Sequence, residues 1–369
     1  MMERNEWPAA RIVHILGGCR VVNNPGPDVE LYPETLTGSR LRFQIPAYGA
    51  IYSKLAEINL SVVGTDFFSH IREVDGRIPP NWRPFHFRTT TVWPCAEVSQ
   101  KWSNIGHAAY TRKLGRLWDL ASRVSHQIRV CSWRLRQISE AYHEQLVARE
   151  LHKDFRDGQR FEDGYTWLAY LSIQSFLVDA CVLRDCLAEF TAEYYFSSSG
   201  KKPQVTSISG LLKHYLRGVD SSDPIGVLLR EETADGGWLK ELGCYRDLVV
   251  HSAPLAQAEQ RLFAVTTSIQ CANLGRVPTI RCPLPDQPDH IAARRSRGDL
   301  YQDFSRQFAA FTKAALGDIP SKDGLAYTHE VLGKLVDLAL LLSDKAPVPP
   351  EMPIFDESNL RGPVRIEHE

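Results

Sequence analysis

The sequence lacks an apolar segment behind its N-terminus and any long uncharged apolar run. Residues 1–6 are polar, so no secretory signal is predicted. Charge interrupts every apolar stretch well short of about 18 residues, so no membrane span is predicted. Neither charge is in excess, since 43 lysines and arginines face 44 aspartates and glutamates and the net charge is -1. We expect a cytoplasmic protein in which any nucleic-acid site is a local patch.

Signatures of common metal, nucleotide and hydrolase sites are also missing. The eight cysteines form no CxxC pair, and their apolar surroundings are typical of reduced core residues. The histidines show no HExxH or similar ligand spacing, and no GxSxG, GxxxxGK[ST] or GxGxxG segment occurs. These motifs supply metal ligands, an activated serine or a phosphate cradle. The sequence therefore predicts no metal and no cofactor.

Proline is absent between Pro94 and Pro203. Because proline lacks an N–H donor and clashes with the preceding turn, this stretch should hold the longest helices. The predicted helices cover residues 104–150, 165–196, 208–216, 235–251, 300–316 and 324–342. In the first of them, the core-facing stripe at helical spacing is Leu114, Leu117, Ala121, Val124, Ile128 and Leu135. The second is apolar on most sides, which predicts the central and most buried helix.

The chain divides into three predicted regions. Residues 1–100 form a mixed, irregular flanking region, in which residues 47–74 are predicted to form a broken helix. Residues 101–343 are predicted to form a helical bundle with a small β-hairpin inserted at 262–290. Residues 344–369 are polar and proline-rich, which predicts a disordered tail.

The helix predicted over residues 235–251 ends in Tyr245-Arg246-Asp247-Leu248-Val249-Val250-His251. At about 100° per residue, Asp247 and His251 share a face, whereas Arg246 and His251 lie about 140° apart. Arg246 and His251 converge only if the last turn loosens or if two copies of the helix meet across a dimer axis. There His251 could move a proton to or from a ribose hydroxyl, Arg246 could stabilise a phosphate, and Asp247 could orient the imidazole. The same residues are also typical of an ordinary helix end, where the dipole favours a cation.

At these residues the sequence resembles the HEPN superfamily, whose members are helical bundles marked by Arg, a polar residue, variable positions and His near the end of a late helix. Arg246, Asp247 and His251 stand at the matching positions, and the resemblance covers residues 105–255. It implies a mainly α fold, an antiparallel bundle, and a metal-independent endoribonuclease whose site is shared across a homodimer. Many members act as toxins or in defence against phage, so an antitoxin protein is a further expected partner. Others are inactive scaffolds.

A second local feature also indicates RNA. Residues 101–139 carry eight basic side chains and one acidic one. Four arginines fall within about 40° of one another on the helical wheel, away from the apolar stripe. They are Arg112, Arg116, Arg123 and Arg134. Such a row, with Trp118 and Trp133 on the same helix, could follow a phosphate backbone and stack on bases. The alternative is a solvated arginine face whose acidic partners lie on other helices.

Two functional hypotheses remain at the level of sequence. In the first, Arg246, Asp247 and His251 form an RNA-cleaving site in a dimer. In the second, a helical scaffold binds RNA or a partner protein without chemistry, and Arg246 is tied to a carboxylate of its own chain.

Overall fold

The computed structural model describes residues 9–68, 79–88, 91–151, 155–196, 203–216, 222–252, 255, 262–285, 288–289 and 322–354. Helices account for 55% of the described residues and strands for 17%. The predicted mainly α fold, a HEPN-like antiparallel bundle with an irregular N-terminal region, is therefore wrong. The N-terminal region is a six-stranded antiparallel sheet, so the protein is an α+β molecule.

The strands of the N-terminal sheet are short. They are β1 Ala10–Ile15, β2 Arg20–Asn23, β3 Asp28–Tyr32, β4 Leu41–Gln44, β5 Val62–Phe68 and β6 Asn81–Pro84. Their order is β4-β3-β2-β1-β5-β6, with every neighbouring pair antiparallel. A 3-10 turn at Tyr48–Ala50 and the helix α1, Ile51–Glu57, lie between β4 and β5. The prediction of a helix over 47–74 is thus wrong for residues 62–68, which form β5. The β-branched side chains of Val62, Val63 and Thr65 favour a strand.

The remaining helices follow the sheet in the chain. They are α2 Pro94–Thr111, α3 Gly115–Leu151, α4 Gly164–Phe190, α5 Ile208–His214, α6 Pro224–Thr233, α7 Trp238–Asp247 and α8 Gly324–Ser343. Helices α2, α3, α4 and α8 pack against one another, most extensively α3 with α4. Of the predicted stripe on α3, five side chains are fully buried, whereas Leu114 is 41% exposed just before the helix begins. The helix predicted at 300–316 lies outside the described residues.

Helix α4 is less buried than its composition suggests. Its capping box joins Asp163 and Thr166, and Ile173 and Phe176 are fully buried. Trp167, Leu168 and Leu171, in contrast, are 49%, 53% and 52% exposed. With its terminal turn, residues Gly164–Tyr195, it is the one helix of the described chain whose length and composition would allow it to cross a membrane, and its most apolar window is 50% buried within the molecule. Core helices of soluble proteins pass the same test, so this helix is consistent with a soluble protein.

Successive side chains of β1 point to opposite faces of the sheet. Arg11 lies on the face covered by α1, where its guanidinium donates to the carbonyl of Tyr48. His14 lies on the other face, which α3 covers, and its Nδ1 is 3.0 Å from the hydroxyl of Ser139. The sheet is thus buried on both faces at β1 and β5, with a differently charged environment on each face.

A second sheet and a short terminal segment complete the described chain. Strands β7 Arg160–Phe161, β8 Ala264–Gln270 and β9 Arg276–Arg281 pair antiparallel in the order β7-β8-β9. The predicted hairpin within 262–290 is confirmed as β8 and β9, and the loop between α3 and α4 adds β7 as a third strand. Of the predicted tail, residues 344–354 are described and lie against α2, where the Glu351 N–H donates to the carbonyl of Asn104. The remaining tail lies outside the described residues.

Candidate functional site

Helix α7 is held by its apolar face. Leu242 and Tyr245 are fully buried, and the Tyr245 hydroxyl donates to the carbonyl of Pro285 at 2.7 Å. The helix begins at Trp238 after Gly237, three residues later than the predicted start at residue 235. A Cβ on Gly237 would lie 2.3 Å from the carbonyl oxygen of Glu232, so only glycine fits the close turn from α6. These contacts fix the position of the C-terminal end of α7.

The end of α7 widens into a π turn over Leu248–Ser252. A π turn pairs residues five apart in place of four, so side chains five positions apart lie closer to one face than in an α-helix. Arg246 and His251 are separated by five positions. The last turn of the helix is therefore looser than an α-helical turn, which is one of the two conditions under which these side chains converge. Leu248 is fully buried and anchors the turn, whereas His251 is exposed.

Arg246 is partly satisfied by its own chain. Its guanidinium is 30% exposed and lies 3.2 Å from a carboxylate oxygen of Asp247, which is 57% exposed. Its Nε is buried and has no hydrogen-bond partner in the described chain. The same group lies near Cys181 of α4, where burial raises the pKa of the thiol and the arginine opposes that rise. Arg246 is therefore held beside α4 with hydrogen-bonding capacity left over.

A second arginine at the interface of α4 and α7 was missed by sequence reasoning. Arg184 on α4 is 5% exposed and forms an ion pair with Asp185 at 3.0 Å. A Cβ on Gly243 of α7 would lie 3.1 Å from a guanidinium nitrogen of Arg184. The usable signal was an adjacent Arg-Asp pair within an otherwise apolar helix, because buried charges occur mostly as pairs. The end of α7 thus lies beside two guanidinium groups.

The four arginines of the predicted RNA-binding row do not form a free basic surface. Each is paired with a carboxylate of its own chain, most of them on α4 or in the terminal segment. The pairs are Arg112–Glu351, Arg116–Glu189, Arg123–Asp119, Arg123–Glu189 and Arg134–Asp179. This is the arrangement of the alternative reading, in which the acidic partners lie elsewhere in the fold. RNA binding by this row stays a prediction.

A Ser-His-Asp cluster that sequence spacing does not reveal lies between the sheet and α3. His14 is 3.0 Å from the Ser139 hydroxyl and 3.2 Å from a carboxylate oxygen of Asp66, and Arg136 donates twice to that carboxylate. Burial, reinforced by nearby Arg20, lowers the pKa of His14 to about 4. Burial alone would raise the pKa of Asp66, but hydrogen bonds from His14 and Arg136 outweigh burial and lower that pKa to about 2. Because His14 is fully buried, this cluster joins the sheet to α3 and does not reach substrate.

A cavity of about 1200 Å³ lies where α1, β5, β6 and the start of α2 meet α8. Its lining is rich in aromatic rings and includes two arginines. Sequence reasoning missed it because residues 1–100 gave no motif and the rings come from four separate segments. Within the described chain it is a second place where side chains able to bind a ligand converge.

The described residues contain no group of three or more histidine, cysteine or acidic side chains able to hold a metal ion. No family model, curated protein or solved structure matches the chain.

Proposed function

We propose that the C-terminal end of α7 is an RNA-cleaving site with Arg246, Asp247 and His251 as its working residues. The observation that carries the proposal is the π turn that begins directly after Asp247 and leaves His251 exposed. π turns are uncommon and are frequently found at functional sites. A second one, Thr191–Tyr195, ends α4, but the turn after α7 is the one that carries the Arg-Asp-x3-His motif. We assign this chemistry to these three residues alone and do not propose a HEPN-like bundle for the whole chain.

The chemistry uses the RNA as its own nucleophile. The ribose 2′-oxygen forms a bond to phosphorus while the bond from phosphorus to the 5′-oxygen breaks, which yields a cyclic phosphate and a free 5′-hydroxyl. A base removes the 2′ proton and an acid returns one to the leaving oxygen. An exposed imidazole serves one of these roles at neutral pH, and Arg246 stabilises charge on the phosphate. Asp247 orients the imidazole or the guanidinium.

A second copy of the chain completes the site in this proposal. One His251 supplies one proton transfer, and the partner's copy of the same residue supplies the other, so the active species is a homodimer. A cytoplasmic role as a toxin or in phage defence, with an antitoxin protein as regulator, belongs to the same proposal.

The test is cleavage of single-stranded RNA in the presence of a chelator. Wild-type protein should cut it, and His251→Ala or Arg246→Ala should each lower the rate by at least about 100-fold, the usual size of acid–base and phosphate-stabilising contributions. Matched controls are His126→Ala and Arg129→Ala, which remove exposed side chains of α3. Circular dichroism and light scattering check that the variants fold and keep the wild-type oligomeric state.

Three outcomes would contradict the proposal. Undiminished cutting by both variants would remove these residues from the mechanism. Cutting of an RNA whose 2′-hydroxyls are replaced by hydrogen would exclude the internal nucleophile. Active protein that is monomeric at the assay concentration would exclude the shared site.

The alternative is a binding module without chemistry. The observation that favours it is the ion pair of 3.2 Å between Arg246 and Asp247, which ties the guanidinium to its own chain. In that case neither wild-type protein nor Asp247→Asn cleaves RNA, and the two have the same RNA affinity.

A further inference from the structure

We propose that the aromatic cavity beside α1 binds a nucleoside monophosphate. It is a site separate from the end of α7, so this inference stands independently of the proposed ribonuclease activity. With about 1200 Å³, the cavity slightly exceeds the volumes of about 300–1,000 Å³ common for small-molecule sites. Space alone does not identify a ligand, so the argument rests on its walls.

The walls are formed by rings that hold one another in place. Tyr52 stacks on Phe85 with ring centres 4.8 Å apart and planes 16° apart. Trp93 meets Tyr52, Phe67 and Phe85 edge-on, with ring centres 5.4, 5.5 and 5.9 Å apart. Phe87 also lines the cavity and is 77% exposed. Aromatic side chains fixed in this way favour a ligand with a planar ring, because any nucleobase can stack on an aromatic face.

The charge of the lining favours an anion. Arg11 is 1% exposed. In the described chain its partners are the Asn23 side chain, the Tyr48 carbonyl and the rings of Tyr48 and Tyr52, with no carboxylate. Arg83 likewise has only the Asn81 amide and the Phe67 ring among the described residues. The acidic lining residue Glu57 is already paired with Lys54 at 2.9 Å. Two cations thus line the cavity with no neutralising carboxylate among the described residues. For Arg11, which is buried, an unpaired charge is costly unless something pairs with it.

A histidine in the wall adds an acceptor. His86 is 7% exposed, and its Nε2 lies 2.8 Å from the carbonyl of His329, so that nitrogen must donate. Burial lowers the pKa of His86, which keeps the ring neutral and leaves Nδ1 as an acceptor. That atom is buried and has no partner in the described chain. A purine or pyrimidine carries the N–H donors that such an acceptor requires.

These three features select a ligand that combines a flat ring, N–H groups and a negative charge. A nucleoside monophosphate has all three. A fatty acid would satisfy the arginines and the apolar area but not the stacked rings or the acceptor, and an uncharged ring would leave both guanidinium groups unpaired.

The experiment is titration calorimetry of the full chain with AMP, adenosine, ribose 5-phosphate and dodecanoate. AMP should bind at least about tenfold more tightly than adenosine or ribose 5-phosphate, because each lacks one recognised element. Arg83→Gln should weaken AMP binding about tenfold. Phe87→Ala should weaken it about fivefold through the loss of a stacking face, and because Phe87 is 77% exposed the variant should fold as wild type does. Arg40→Gln, which removes an arginine that is 55% exposed and outside the lining, is the matched control.

The readouts separate this site from the ribonuclease proposal. His251→Ala should bind AMP as wild type does, whatever happens to RNA cleavage. Failure of AMP to bind at millimolar concentration would overturn the inference, as would dodecanoate binding more tightly than AMP. AMP binding that Arg83→Gln and Phe87→Ala leave unchanged, in variants with wild-type circular dichroism, would also place the ligand elsewhere.

Discussion

One buried and one partly exposed arginine lie on opposite faces of the N-terminal sheet and have contrasting partners. Arg136 of α3 is 16% exposed and donates to both carboxylate oxygens of Asp66 at 2.8 Å. Arg11 of β1 is 1% exposed and has no carboxylate partner in the described chain. Burial lowers the pKa of Arg11, whereas the carboxylates around Arg136 overcome burial and raise its pKa.

The comparison indicates that the charge of Arg136 stabilises the fold, whereas the charge of Arg11 is available to a ligand. A satisfied pair such as Arg136–Asp66 is strongly destabilised when one partner is removed, because the other charge is left buried. A lone buried cation has no such partner, and its removal relieves a desolvation penalty. The face covered by α3 should therefore govern stability, and the face covered by α1 should govern binding.

The largest expected effect on stability comes from breaking the ion pair between Arg136 and Asp66. Arg136→Met should lower the free energy of unfolding by about 3–5 kcal/mol, because Asp66 is left buried without its guanidinium. Urea unfolding followed by circular dichroism measures it. Arg42→Met removes an exposed partner of Glu30 and should change stability by less than about 1 kcal/mol. Equal effects for the two variants would contradict the comparison.

The next effect is a loss of stability in acid. Burial lowers the pKa of His14 to about 4 and, with neighbouring positive or imidazole groups, those of His143 and His329 to about 3. Each folded value lies below the unfolded value of about 6.5, so the unfolded chain binds more protons below that pH. Stability is fully present above pH 6.5 and is lost as the pH falls towards the folded values.

Between pH 7.5 and 5.5 the loss should be about 1.4 kcal/mol for each of these three histidines, or about 4 kcal/mol for the three together. Urea unfolding at the two pH values measures it. His329→Gln should reduce the pH-dependent part by a third or less, since it removes one of these three groups and leaves His86, whose pKa burial also lowers. A free energy of unfolding that stays constant across this interval would show that these imidazoles are not buried as neutral rings.

Helical packing was the part most accessible from sequence. The spacing of Leu117, Ala121 and Val124 identified the buried stripe of α3, because a repeat near 3.6 residues has a direct geometric meaning. The sheet was not accessible in the same way. Its strands are only four to seven residues long, and their pairing depends on partners distant in the chain, so alternation in one segment says little about the fold.

The candidate sites show the same limit. The motif at Arg246 and His251 was visible as a run of letters, but the π turn that changes their relative angle is a property of the folded backbone. The arginine row on α3 was also visible, yet its partners Glu189 and Asp179 come from α4. Local sequence reveals a charge and its helical face, whereas its neutralisation depends on tertiary contacts.

The smallest expected effect on stability is that of Arg11→Met. Methionine fills a similar volume and introduces no charge, while the lost contacts with Asn23 and the Tyr48 ring are offset by removal of an unpaired buried cation. The free energy of unfolding should therefore change by less than about 1 kcal/mol, in contrast to Arg136→Met. AMP affinity should nevertheless fall about tenfold, because a charge-assisted contact is gone. Urea unfolding and calorimetry on the same preparation measure both quantities, and a destabilisation as large as that of Arg136→Met with unchanged AMP binding would make Arg11 a structural residue.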